Sequence, residues 1–223
     1  MAGPLRGTGE GAGSGALVPG PALGLLELRS IARGIVLSDA VVKRAAVRLC
    51  LSRPVSPGKH LTLFCGGVAD VEEAFQAGLA VAQAGSALCD SLLLAQVHEE
   101  VLAALAGTGA LAQTRAAVLR EEADVSLALN NRGACALAIV ETFSAAAALL
   151  SADAACKAAA VRLHTLRLCD GLGGKAYYVL CGSQADSEAA LQAAEAALTP
   201  GLLFARELIA RPHPDLLSAL ADG

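Results

Sequence analysis

The sequence has no Trp, two Tyr and four Phe in 223 residues, so aromatic side chains make up only 3% of it. That scarcity excludes the stacking platforms on which proteins hold single-stranded nucleic acid. Positive charge is also lacking: the formal net charge is −4 at pH 7, which gives no field to attract phosphates. No uncharged apolar run reaches the about 18 residues that a membrane-spanning helix requires. No C-x-x-C pair occurs among the seven Cys, which excludes a zinc knuckle. The scatter of Cys50, Cys65, Cys89, Cys135, Cys156, Cys169 and Cys181 fits no disulfide framework. With no secretory signal, it points to small core thiols in a reducing, cytoplasmic setting. His60, His98, His164 and His213 are dispersed without metal-ligand spacing. No Ser-His-Asp or Cys-His pairing can be argued. The Gly-Leu-Gly-Gly-Lys run at 171–175 lacks the following Ser/Thr and the helix of a phosphate-binding loop.

What the chain does have is a block that occurs twice. Ala22 to Leu28 (ALGLLEL), Asp39 to Leu49 (DAVVKRAAVRL), Gly58-Lys59 and the run from Cys65 (CGGVADVEEA) make the first copy. Ala136 to Thr142 (ALAIVET), Asp153 to Leu163 (DAACKAAAVRL), Gly174-Lys175 and the run from Cys181 (CGSQADSEAA) make the second. Glu27/Glu141, Asp39/Asp153 and Lys43/Lys157 keep one offset. Lys59/Lys175 and Asp70/Asp186 keep another, two residues longer. An internal duplication with one lengthened loop produces that pattern.

The chain divides accordingly: a Gly/Pro-rich tail at 1–20, a first domain at 21–106, a connecting segment at 107–134 and a second domain at 135–223. The tail carries too little side chain to offset the entropy of ordering it. Ala22–Leu28 reads as a central strand. Ser30 caps a helix whose inward stripe is Ile31, Ile35, Val42 and Ala45. A hairpin follows, 47–52 and 61–65. Asp70 caps a second helix with Glu73 three residues on, and Asp186 does so in the second copy. Strand 91–97 and a short helix end the unit. The second copy repeats this plan, so each unit reads β-α-β-β-α-β: an α+β, ferredoxin-like fold with helices on one face of an antiparallel sheet. Glu27 and Glu141 recur at matching strand positions, which favours a repeated structural hydrogen bond over acid–base work.

These motifs, in this order and twice over, resemble the shell-protein domain of bacterial microcompartments. S-I-A-R-G-I-V-L-S-D-A, P-G-K, I-V-E-T-F-S-A-A, G-L-G-G-K-A-Y-Y and the R-P-H at Arg211–His213 are most similar to the tandem, T-type members of propanediol-utilisation shells. The resemblance implies a homotrimer imitating a hexamer, which tiles edge to edge with hexameric and pentameric shell proteins around enclosed enzymes. It implies a pore for small metabolites on the threefold axis, lined by Val55, Ser56, Pro57 and Gly58 and by Gly171, Leu172, Gly173 and Gly174. Lys43, Lys157, Arg211 and His213 take the tile-edge positions. The first unit departs there, with Gln96-Val97-His98 in place of Arg-Pro-His. T-type relatives ligate an iron–sulfur cluster through a Cys directly before Pro-Gly-Lys. Ser56 stands there instead, and a hydroxyl is a poor ligand for such clusters. No cofactor and no catalytic residue is therefore expected. The other function class that fits is a soluble ligand-binding regulator built from duplicated ferredoxin-like units.

Overall fold

The structure, a computed structural model, describes residues 20–107 and 135–221. The expected tail before Gly20 and nearly all of the connecting segment lie outside the described residues. The first unit runs β1 (Ala22–Leu28), α1 (Ile31–Arg44), β2 (Arg48–Val55), β3 (Lys59–Gly66), α2 (Val68–Ala84), β4 (Leu88–Leu94) and α3 (Glu99–Gly107). The second runs β5 (Ala136–Thr142), α4 (Ala145–Ala158), β6 (Arg162–Leu168), β7 (Ala176–Gly182), α5 (Gln184–Ala196), β8 (Leu203–Ile209) and α6 (Pro214–Ala221).

Each unit is one antiparallel sheet of four strands, ordered β2-β3-β1-β4 and β6-β7-β5-β8. The duplication extends to the irregularities. The edge strand is bulged between Leu49 and Leu51 in one unit and between Leu163 and Thr165 in the other. Strand β1 is buried along its whole length, as its unbroken apolar run predicts. Leu26 and Leu28 face a helical layer containing Leu37, Val41, Val71 and Ala74. On the opposite face, Leu23, Leu25, Leu61 and Leu63 belong to a core that continues without a break into Ala145, Ala148 and Leu149 of the second unit. The two sheets therefore share a hydrophobic core.

Ser30 and Ser144 cap α1 and α4, accepting the amide N–H of Arg33 and Ala147. The expected Asp caps do not form. Helix α2 starts on Gly67 with no side-chain cap, and Ser183, not Asp186, caps α5. Both helices begin earlier than the aspartates suggest. Asp70 and Asp186 instead occupy the first turn, where a carboxylate is favoured by the positive end of the helix dipole.

Helix α1 also presents the opposite stripe from the one expected. Gly34, Leu37, Ser38 and Val41 are buried. Ile31, Ile35 and Val42 are 40%, 58% and 40% exposed. Periodicity alone could not choose between two apolar stripes on one helix. Its counterpart α4 is mostly Ala and is buried almost all round, from Ala145 to Cys156. Small side chains let it lie against its own sheet and the first unit at once.

The expectation that the cysteines form no disulfide is corrected at one pair: Cys135 and Cys181 are joined, while the other five are free. The antiparallel register Leu137↔Cys181 and Ala136↔Gly182 brings the two residues side by side. Spacing along the chain could not reveal this.

Candidate functional site

The sequence places its chemistry at three locations: the hairpin loops, the lysine-bearing helices and the repeated glutamates. The two loops, Glu27 and Lys157 meet at the joint between the two units, whereas Lys43 and Glu141 pair within their own units. Glu27, on the central strand β1, is wholly buried. Its carboxylate accepts Lys59 Nζ at 2.5 Å and the Ala145 amide at 3.0 Å. It thus sits at the N-terminus of α4, where unpaired amides and the helix dipole favour an anion. The expected structural hydrogen bond of the repeated glutamates is present in this form. In the second unit Glu141 pairs with Lys175 in the same way, but keeps 30% exposure. Lys175 Nζ lies 3.9 Å above the Phe204 ring, and Phe204 is half exposed.

Around Glu27 the joint is polar and specific. Ser144 Oγ hydrogen-bonds the Asp90 carboxylate. Asp153 accepts the His98 amide at 2.8 Å, and Lys157 donates to the Gln96 carbonyl at 2.6 Å and to Asp153 at 2.5 Å. Glu100 accepts the Leu163 amide at 3.0 Å. Lys157, assigned to the tile edge, is therefore engaged within the chain while its side chain stays 44% exposed. Its counterpart Lys43 pairs with Asp39 of its own helix, at 2.7 Å, and is 73% exposed. Arg211 and His213 are exposed on the second unit, where Gln96 and His98 stand on the first.

The hairpin loops lie beside each other. Arg53 at the base of one makes a two-pronged ion pair with Asp170 at the base of the other. A Cβ placed on Gly174 would stand 3.0 Å from Pro57 Cδ and 3.4 Å from Lys59 Nζ, a tight approach at a residue whose φ of +92° already favours glycine. Gly58, Gly171, Gly173 and Gly174 all take positive φ. Ser56 and Leu172 are half-buried, Pro57, Gly58, Gly171 and Gly173 are exposed, and Val55 and Gly174 are buried. The structure thus gathers the two expected loops at one edge of the molecule. Sequence reasoning placed Arg53 and Asp170 in the two loops, 53–58 and 170–174, without pairing them, and missed Asp90 and Glu100, whose partners come from the other unit. Only the duplication hinted that such a joint existed.

Cys169, beside the second loop, is buried and donates to the Gly174 carbonyl at 3.3 Å. Burial pushes its thiol up to about 12. Among the described residues no group of three or more His, Cys, Asp or Glu is arranged to hold a metal ion.

Residues 22–97 and 136–212 each match the BMC domain, one copy per unit. The chain belongs to the bacterial microcompartment shell proteins. It is 36% identical over 203 residues to the bacterial microcompartment shell protein PduT of Citrobacter freundii, covering 91% of this chain and 98% of that protein. One unit's length, 87 residues, is 37% identical to the carboxysome shell protein CsoS1C of Halothiobacillus neapolitanus and covers 89% of that shorter protein. A crystal structure of a microcompartment protein from Desulfitobacterium hafniense superposes with a TM-score of 0.69 at 35% identity, covering 87% of this shell protein and 97% of the other. The tandem arrangement and the α+β fold of each unit are thereby accounted for.

Proposed function

We propose that this structural shell protein closes as a homotrimer of six units, carries a pore for small metabolites where the hairpin loops converge, and tiles into the shell of a cytoplasmic compartment. One observation carries the reading. The joint inside the chain seats α4 of the second unit on the first, yet the equivalent helix α1 keeps its outer apolar stripe exposed. Ile31, Ile35, Val36 and Val42 are all at least 40% exposed. The equivalent acceptor, Glu141, keeps 30% exposure where Glu27 is wholly buried. Repeating the internal joint between chains covers both, with α1 of one copy on β5 and β8 of the next. Such a head-to-tail contact closes into a ring when its rotation permits. The ring sets the Arg53–Asp170 loop pairs around its axis, with Ser56 and glycine backbone as the lining. Lys43, Lys157, Arg211 and His213 then serve the rim, against hexameric and pentameric shell proteins. Enzymes are what such a shell would enclose.

A non-catalytic role fits the two BMC domains and the likeness to a shell protein over 91% of the chain. An iron–sulfur cluster on the axis does not fit these donors: Ser56 offers a hydroxyl, and the Cys169 thiol is buried and hydrogen-bonded. Native mass spectrometry followed by electron microscopy tests the reading. Trimers that associate into sheets or closed shells are expected, colourless and free of stoichiometric iron. A monomer that never tiles, even with partner shell hexamers, would overturn it. Brown protein with iron bound at loop 56–58 would overturn the cofactor-free pore.

A further inference from the structure

Cys50 and Cys65 form a second sulfur pair, in the first unit. Their Sγ atoms are 3.1 Å apart, Cys50 donating to Cys65. The cause is local. The register pairs Arg48 with Cys65, and the bulge between Leu49 and Leu51 turns Cys50 back towards the same site. Arg48 Nε and Nη2 are buried there without a hydrogen-bond partner, so a thiolate beside them is a charge they can balance. In the second unit Arg162 and Cys181 keep the places of Arg48 and Cys65, while His164 replaces Cys50 and Cys181 is bonded to Cys135 instead. The same strand position thus faces a second sulfur in both units, through different partners.

We propose that Cys50 and Cys65 are a reversible dithiol, oxidised to a cross-strand disulfide by a low-molecular-weight disulfide such as oxidised glutathione. The proton lies between the two sulfurs. The hydrogen bond from Cys50 and the Arg48 charge draw the Cys65 thiol down to about 6, while that same bond and burial raise Cys50. Cys50 is half-buried and Cys65 buried, so Cys50 is the sulfur an outside molecule reaches. Transfer of the shared proton to Cys65 frees a Cys50 thiolate. This attacks one glutathione sulfur, breaks its S–S bond and releases one glutathione thiolate. That thiolate takes up the proton from Cys65. The Cys65 thiolate then attacks Cys50 Sγ and expels the second glutathione thiolate. One protein thiol and one thiolate are oxidised together, and one glutathione disulfide is reduced to a thiol and a thiolate, the latter taking its proton from water. The new bond ties edge strand β2 to β3 at the foot of the hairpin that carries Ser56. Disulfides in reducing compartments tend to be transient devices of this kind.

The test uses the full, assembled chain, reduced, desalted and exposed to oxidised glutathione, with non-reducing peptide mapping. The expected product links the Cys50 and Cys65 peptides, is about 2 Da lighter than the reduced pair and is reversed by dithiothreitol. Exposed Cys89 reports that the reagent reacted. Cys65→Ala should trap glutathione on Cys50, about 305 Da heavier, whereas Cys50→Ala should leave Cys65 unmodified. Free Cys50 and Cys65 alongside modified Cys89 would overturn the proposal. So would a glutathione adduct that persists on Cys50 in the native sequence. The wild-type map decides even if either variant fails to fold.

Discussion

The Glu27 carboxylate accepts the amide of Ala145 at 3.0 Å, so a residue of one unit caps the helix of the other. Lys59 balances the charge from the remaining oxygen. The two partners differ in exposure, the Glu27 side chain at 0% and Lys59 at 20%. Removing either therefore has unequal consequences. Glu27→Gln leaves an ammonium that can swing to water and should cost about 2 kcal/mol, below the roughly 3–5 of a fully buried pair. Lys59→Met strands a carboxylate with no route to solvent and should cost about 3 kcal/mol or more. Urea denaturation of both variants checks the order. Equal losses would mean that the charge is solvated.

The outer stripe of α1 separates assembly from folding. Ile35 is 58% exposed in the single chain, so Ile35→Asp should shift its unfolding by no more than about 0.5 kcal/mol. At a joint against Glu141 the same carboxylate is desolvated and faces like charge, costing at least about 2 kcal/mol per joint. The expected result is a folded protein with native circular dichroism that elutes as a monomer. An intact trimer would remove α1 from the interface.

The repeat, the strand limits to within a few residues and the Ser30 cap were legible because each depends on neighbours in sequence. So was the value of Glu27 and Glu141 as a pair. Three things were not. The inward stripe of α1 was misread because Ile31, Ile35 and Val42 are as apolar as Leu37 and Val41, and only the second copy's contrast with Ala-rich α4 shows which face is spare. The Asp caps were misread because Ser183 and Gly67 start their helices three residues earlier. The cysteine pairs needed strand register, which brings Cys135 to Cys181 and Cys50 to Cys65 across the sheets. Arg53 and Asp170 needed the placement of one unit on the other.

Gly34 sets two opposed effects against each other. Gly to Ala inside a helix ordinarily gains about 1 kcal/mol. At this position the new Cβ would stand 2.3 Å from the His60 ring. That ring is buried and held by Ser52 at 3.1 Å, within a chain of hydroxyls that joins Ser38, Ser52 and Thr62. It cannot retreat without breaking the chain, and overpacking of this kind costs about 1–3 kcal/mol. Gly34→Ala should therefore be net destabilising by about 1 kcal/mol. A raised melting temperature would show that His60 moves freely.

His60 itself should make the first unit acid-sensitive. The ring is 1% exposed, its Nδ1 has no partner, and burial lowers its pKa below the ordinary 6.5. The unfolded chain then takes up a proton at a higher pH than the folded one. Stability contributed by the neutral ring is complete above pH 6.5. It is lost as the pH falls from there towards the depressed folded value. The second unit has Ala176 in the matching place. His164, also lowered by burial, adds a loss of the same sign. Urea midpoints at pH 7.5 and 5.5 should fall for the native chain, and His60→Gln should flatten the difference without abolishing it, since His164 and the carboxylates remain. An unchanged slope in that variant would mean that His60 is protonated in the folded protein.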